Sequence, residues 1–314
     1  MKNRPEKKFI PVMLTPFDEA GKVDFGGLTA LTQHYLRAGA GGLFANCQSS
    51  EMFALDHDEK LAVVKHVLSA TGGAVPVVAV GNFGETPERQ ADFMHKIYDT
   101  GVQAVIIVTS LVAGKEEPDR LFEERVFRLF ELTGSMPLGF YECPEPYKRV
   151  LKPAQLRQFV DTGRIIYHKD TCLDLTQITA KLEATAGRPA FGLYDAYAAH
   201  AVASLKAGSS GLSCIQGNFF PELIVWLCEH FDEAAFAEKV DQAQRFLSDN
   251  MEVMHHIYPP VAKYYLRQRG LPITTFTRTD TGTLTPAVKQ DIDHLSAQYA
   301  RLCENIGLRA VMPV

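Results

Sequence analysis

The sequence predicts an α/β protein, a (β/α)8 TIM barrel with a C-terminal helical extension. Three observations carry that expectation. Eight short apolar runs recur along the chain, most followed by a polar turn and a segment with helical apolar spacing. These runs are apolar throughout rather than alternating, as strands of a parallel sheet are when both faces are covered. After the first run stands TPFDEAGKVD, neither a GxGxxG nor a Walker sequence, so a doubly wound sheet lacks its usual signature.

In order, the runs are FIPVML (9–14), GLFAN (42–46), VPVVAVG (75–81) and AVIIV (104–108). PLGFY (137–141), RIIYHK (164–169), PAFGLY (189–194) and SGLSCI (210–215) follow. Segments such as FGGLTALTQHYLRAG, ERQADFMHKIYDTG, EERVFRLFELTG and AHAVASLKAG lie between them and end in glycine, the usual helix stop. From about Phe231 the strand signal ends. FDEAAFAEKVDQAQRFLSDNMEVMHHI, PPVAKYYLRQRG and TPAVKQDIDHLSAQYARLCENIG all have helical spacing, with breaks at Pro259, Pro260, Gly270 and Pro272. The expected division is a catalytic barrel over 1–232 and a three-helix region over 233–314. That region shows no evident chemistry and is read as covering barrel helices or supporting assembly. His255 and His256 within it are read as a solvated or packing pair.

Composition narrows the function. Hydrophobic residues are 46% and charged residues 22% of 314, the mix of a globular protein. A net charge of −5 provides no basic face for nucleic acid. MKNRPEKKFI lacks the apolar core of a signal peptide, and no window approaches the ~18 apolar residues of a membrane span, so the expected location is cytoplasmic. The six cysteines (47, 143, 172, 214, 228 and 303) contain no CxxC pair, which speaks against a disulfide scaffold or zinc ribbon. Four of them follow strands and are expected near the pocket as small apolar liners rather than metal ligands.

In such barrels the site lies at the carboxyl ends of the strands. The second run leads into Cys47-Gln48-Ser49-Ser50-Glu51; the fifth closes on Tyr141, followed by Glu142, Cys143 and Pro144. The sixth closes on Lys169, the seventh leads into Asp195, and Gln216 and Asn218 follow the eighth. Alternation places Lys169 on the face of Tyr167 and Ile165. If that face is the interior, burial lowers the amine's pKa and it can attack a carbonyl. The competing reading is a strand-end lysine reaching solvent; Tyr141 at the end of the neighbouring strand favours the first. His168 then faces the helical layer as a core histidine. Asp170 either orients the lysine or caps the next helix.

At these residues the chain resembles the dihydrodipicolinate synthase / N-acetylneuraminate lyase family, from about Phe9 to Leu308. The landmarks are FIPVMLTPFDEAGKVD, the SSE loop before LDHDEK, Tyr141 in YxxP, Lys169 in KD, and GNFFPE. The resemblance implies the barrel with C-terminal helices and a Schiff-base-forming lyase, an aldolase or dehydratase, acting on a 2-keto acid such as pyruvate or a 2-keto-3-deoxy sugar acid. It implies no cofactor and no metal: Lys169 forms the imine and Tyr141 relays protons, in a homodimer or homotetramer. Gln48, Ser49 and Ser50 occupy the place of the family's carboxylate-binding Thr/Ser-Thr-Gly, with the Ser49 hydroxyl and the Ser50 N–H as the holding groups.

Three departures qualify the resemblance. Cys47, Gln48 and Ser50 replace Gly, Thr/Ser and Gly, so a smaller pocket is expected. Thr109-Ser110-Leu111-Val112 stands where the synthases carry a tyrosine pair, and Pro146 where they place an arginine for a second carboxylate; neither Lys148 nor Arg149 is at that position. These changes argue against condensation of pyruvate with an amino-aldehyde acid, the synthase reaction. Gln48, Glu142, Asp195, Gln216 and Asn218 are available to a polyhydroxylated substrate, with Cys143 beside them. A family member without catalysis, acting in binding or regulation, is the alternative from another class.

Overall fold

The computed structural model describes residues 6–311. The N-terminal stretch read above for its lack of a signal begins with residues 1–5, which lie outside the described residues. Eight strands form one sheet: β1 (Lys8–Phe9), β2 (Leu43–Ala45), β3 (Val77–Val80), β4 (Ala104–Val108), β5 (Leu138–Tyr141), β6 (Ile165–Asp170), β7 (Gly192–Asp195) and β8 (Gly211–Leu212). Their order is β1-β8-β7-β6-β5-β4-β3-β2, parallel at every pairing. A parallel bridge between Val12 and Phe44 closes the ring beyond β1. The first apolar run is therefore a short strand that bends at Pro11, whose carbonyl accepts from the Phe44 N–H at 3.0 Å.

Two apolar layers explain why the strands are apolar on both faces. Ala104, Ile106 and Val108 of β4 join Val78, Val80, Phe44 and Tyr141 inside the barrel. Val105 and Ile107 join Leu138 and Phe140 against the surrounding helices. β6 breaks this alternation. Leu138 is opposite Ile165 but Gly139 is opposite Tyr167, so Ile166 is an extra residue. Ile165 consequently packs in the outer layer, away from Tyr167, which corrects the expectation that Ile165 shares the face of Lys169. Gly139 makes room for this bulge. A Cβ there would stand 2.6 Å from Ile106 Cδ1 and 2.8 Å from the Tyr167 carbonyl. Gly139→Ala is expected to destabilise the chain by about 1–3 kcal/mol, measured as a lower urea midpoint at unchanged m-value.

The barrel helices are α1 (Phe25–Arg37), α2 (His57–Thr71), α3 (Pro87–Tyr98), α4 (Asp119–Leu132), α5 (Pro153–Val160), α6 (Leu175–Ala184), α7 (Ala201–Ala207) and α8 (Pro221–His230). Local sequence sets several starts: Asp56 caps α2 with Glu59 completing a capping box, and Asp174 caps α6. Four helices rather than three follow: α9 (Ala237–Asp249), α10 (Met251–His255), α11 (Pro260–Gln268) and α12 (Pro286–Ile306). The first expected helix divides at Asn250, whose side-chain amide donates back to the Phe246 carbonyl at 2.9 Å. No helix among the described residues is long and apolar enough to cross a membrane.

The C-terminal segment also reaches the barrel mouth. Lys263 of α11 donates to Glu51 Oε1 at 2.9 Å, and the N–H groups of Arg278 and Thr279 donate to Glu51 Oε2 at 2.7 and 2.9 Å. The Arg278 guanidinium holds both oxygens of Glu59 at 2.6 Å. This latch brings residues of the segment read as chemically silent into the cavity wall.

Candidate active site

A cavity of about 650 Å³ opens at the carboxyl ends of the strands and is lined by Lys169, Tyr141, Gln48 and Ser49. β6 and β5 end side by side in register, Tyr141 opposite Lys169. The lysine ammonium lies 4.2 Å from the centroid of the Tyr141 ring. Lys169 is only 4% exposed, and burial drives its pKa below the ordinary lysine value.

Comparison with the other buried lysines singles it out. Lys60 donates to the Leu55 carbonyl, Lys181 to Glu142 and Asp170, and Lys263 to Glu51 and the Phe276 carbonyl. Buried charges are normally paired in this way. Lys169 has no oxygen partner among the described residues, only the tyrosine ring. Its neighbours Cys47, Cys143 and Cys214 are fully buried. Burial raises the Cys143 thiol to about 11 and the Cys214 thiol to about 12, so both stay neutral at pH 7 and leave the lysine uncompensated.

Tyr141 packs edge-on against Phe44, with ring centroids 5.6 Å apart. Its hydroxyl donates to Gln48 Oε1 at 3.3 Å. Burial raises its pKa well above that of free tyrosine, and the nearby thiols Cys143 and Cys47 push the same way. At neutral pH the hydroxyl therefore holds its proton.

The loop after β2 forms a 3-10 turn over Gln48–Ser50. The N–H groups at the start of such a turn have no intrahelical acceptor, and Gln48 and Ser49, which carry them, line the cavity. Ser50 does not. Its N–H donates to the Cys47 carbonyl at 3.0 Å and its hydroxyl to the Met13 carbonyl at 2.7 Å. That corrects the assignment of Ser50 to carboxylate binding. The Cys47 and Ser50 side chains are turned into the protein, and neither lines the cavity.

Several residues chosen for following a strand are likewise turned away. Glu142 succeeds inward-facing Tyr141 and so points outward, fully buried against Lys181. Asp195 lies 2.9 Å from His200 Nε2 and accepts from the Tyr197 N–H. Gln216 is buried, its amide 3.4 Å from Met251 Sδ. Cys143 lies behind the wall, with its thiol 3.8 Å from Gln48 Oε1. Asn218 supports the site from outside: it accepts from Tyr35 and donates to the Tyr258 hydroxyl at 2.5 Å. Asp170 neither caps α6, where Asp174 serves, nor touches Lys169; it pairs with Lys181 at 2.6 Å.

Sequence reasoning missed several residues that line the cavity. Tyr258, between α10 and α11, lines the cavity and accepts from the Asn218 side-chain amide at 2.5 Å. His255 lines it as well, rather than being only a solvated or packing residue. Thr279 and Thr281 arrive with the latch. Lys148 also reaches the wall, where its ammonium donates to the Thr171 carbonyl at 2.8 Å. Arg149 turns away to Asp119 at 3.1 Å.

The Dihydrodipicolinate synthetase family profile matches residues 5–298. The chain belongs to this family. Among relatives, it is 23% identical over 266 residues to 4-hydroxy-tetrahydrodipicolinate synthase of Oceanobacillus iheyensis, covering 85% of this chain and 88% of the relative. It is 23% identical over 302 residues to the putative 2-dehydro-3-deoxy-D-gluconate aldolase YagE of Escherichia coli, covering 94% and 97%. The crystal structure of YagE in complex with pyruvate superposes with a TM-score of 0.84 at 21% identity, over 95% of this chain and 99% of that one. The dihydrodipicolinate synthetase fold is thus shared almost end to end.

Proposed function

We propose that this family member is a Schiff-base-forming lyase, an aldolase or dehydratase, acting on a small 2-keto acid such as pyruvate. The observation that carries the reading is Lys169, a buried ammonium without an oxygen partner at the mouth of a cavity, beside a protonated tyrosine. An unpaired buried charge is costly and persists where the site uses it. That cost also weighs against a family member that only binds or regulates.

In this reading the neutral Lys169 amine attacks the keto carbon. Tyr141, through its hydroxyl, supplies the proton with which the former keto oxygen leaves as water, forming a protonated imine. Electrons from the bond broken at C3 flow into the imine and give an enamine; the C3 proton, or in aldol cleavage the proton of the C4 hydroxyl, passes to the tyrosinate left on Tyr141. In the same reading the Ser49 hydroxyl, the Tyr258 hydroxyl and the Gln48 and Ser49 N–H groups hold the keto acid's carboxylate. No cofactor enters these steps. The YagE complex, a pyruvate-bound relative, supports pyruvate as the first ligand to try.

One observation favours a second reading, condensation of pyruvate with an amino-aldehyde acid. Lys148 lines the cavity as a cation without a carboxylate partner among the described residues, available to a second anionic group. Assaying condensation and cleavage side by side separates the two.

The central test is trapping. Incubation with pyruvate and borohydride is expected to leave a reduced adduct on Lys169, located by mass spectrometry. Because the folded lysine's pKa is depressed, the trapping rate rises with pH and levels off below the pH at which an ordinary lysine would. No adduct with pyruvate or a panel of 2-keto acids sinks the proposal.

A further inference from the structure

A fully buried ionic cluster lies behind the two proposed catalytic residues, on the outer face of the same strands. Glu142 follows Tyr141, while His168 and Asp170 flank Lys169. Lys181 reaches in from α6, its ammonium 2.6 Å from Glu142 Oε1 and 2.6 Å from Asp170 Oδ2. His168 Nε2 stands 3.4 and 3.5 Å from the same two oxygens. Glu142, His168 and Asp170 have the composition of a metal-ligating set, but the Lys181 ammonium already supplies the cation between the carboxylates.

The cluster is also tied to backbone. Glu142 accepts from the Leu151 N–H at 2.9 Å and the Thr171 N–H at 3.1 Å, and the Thr171 hydroxyl donates to the Glu142 carbonyl. The chain just past Tyr141 is thereby joined to the chain just past Lys169. Buried ion pairs of this kind seldom stabilise a fold more than apolar packing of the same volume does. Their geometric precision is another matter, because each charge accepts only one arrangement of its partners. The cluster also keeps its carboxylates occupied by Lys181. His168 loses to burial but gains more from Glu142 and Asp170, so its pKa is raised. Neither carboxylate is then free to hold Lys169 in its charged form.

We propose that Lys181 is a positioning residue: by drawing Glu142 and Asp170 together it sets the separation of Tyr141 and Lys169. This rests on the imine reading above. In the Michaelis complex a shift of the tyrosine hydroxyl relative to the imine slows proton transfer far more than it slows imine formation.

The test compares wild type, Lys181→Met and the charge-balanced Glu142→Gln/Lys181→Met in the full chain. Two quantities are read with pyruvate: borohydride-trapped adduct at saturation, and deuterium uptake at C3 followed by NMR. Positioning predicts adduct levels close to wild type and C3 exchange per adduct lowered by about 10- to 100-fold in both variants. A purely structural role lowers adduct and exchange together, leaving their ratio unchanged; that result overturns the inference. So does failure of both variants to fold. A wild-type chain that exchanges no C3 hydrogen and forms no adduct overturns the imine reading and this inference with it. A wild-type adduct with an unchanged ratio in the variants overturns this inference alone.

Discussion

Lys169→Met is expected to abolish the trapped adduct, lower turnover by about 10⁴-fold or more, and make the protein more stable. The first two effects follow from removing a buried lysine of the cavity whose ammonium has no oxygen partner among the described residues. The third follows from electrostatics. Wild type holds Lys169 at 4% exposure, with an aromatic ring against its ammonium and no oxygen partner among the described residues. Such a contact is worth about 0.5–2 kcal/mol, less than the desolvation it offsets. Methionine matches the stem in volume and needs no partner, so a gain of about 1–3 kcal/mol is expected. The gain depends on pH in a definite sense. A lysine whose folded pKa is depressed binds fewer protons folded than unfolded, so wild-type stability rises with pH between the two values. The advantage of Lys169→Met is therefore fully present below the folded pKa and disappears toward pH 10.5, the ordinary lysine value. Denaturant melts at pH 6, 8 and 10 measure it. A variant less stable than wild type at pH 6 contradicts the picture of an uncompensated charge.

Tyr141→Phe is the second large effect. The ring under the Lys169 ammonium and its edge contact with Phe44 are kept, while the hydroxyl that meets Gln48 is lost. A proton donor of this kind contributes about 10²- to 10⁴-fold, so kcat is expected to fall by that range. Adduct formation with pyruvate slows but reaches the wild-type plateau, because the imine equilibrium does not depend on the donor. Burial holds the wild-type hydroxyl protonated across neutral pH, so no loss of its proton shapes the rate there. Turnover within threefold of wild type would show that another group carries the proton. Tyr258, which lines the same cavity, is the first to examine in that case.

The parts of the site that could be read from sequence are those that depend on a strand and its end. Lys169 and Tyr141 close apolar runs that are adjacent in a parallel barrel, and the structure brings them to 4.2 Å. The same reasoning, applied without alternation, went astray one residue further on. Glu142 follows an inward-facing residue and must face outward at the next position, and its partner Lys181 lies on a helix 39 residues away. The bulge in β6 reversed the side taken by Ile165, and Gly139, with its missing Cβ, was the only local sign of it. Tyr258 and the Glu51 latch carried no local signal at all. The contact between Lys263 and Glu51 spans 212 residues of chain.

Local chemistry therefore decided the kind of structure and the identity of its two central residues. Apolar runs that are covered on both faces impose a parallel sheet, capping residues such as Asp56 start the helices, and a lysine ending such a run is carried to the barrel mouth. Closure of the barrel decided the rest: which loop groups face the cavity, that Ser50 is spent within its own turn, and that four C-terminal helices bring Tyr258 and Thr279 over the mouth. The physical reason is the range of the forces. Apolar periodicity and capping act within a few residues, whereas hydrogen-bond partners and desolvation are defined only once distant segments exclude water from one another. Lys169 shows both sides. Its position could be read in the run IIYHK, but its unpaired, depressed state exists only because the folded chain surrounds it with neutral thiols and an aromatic ring.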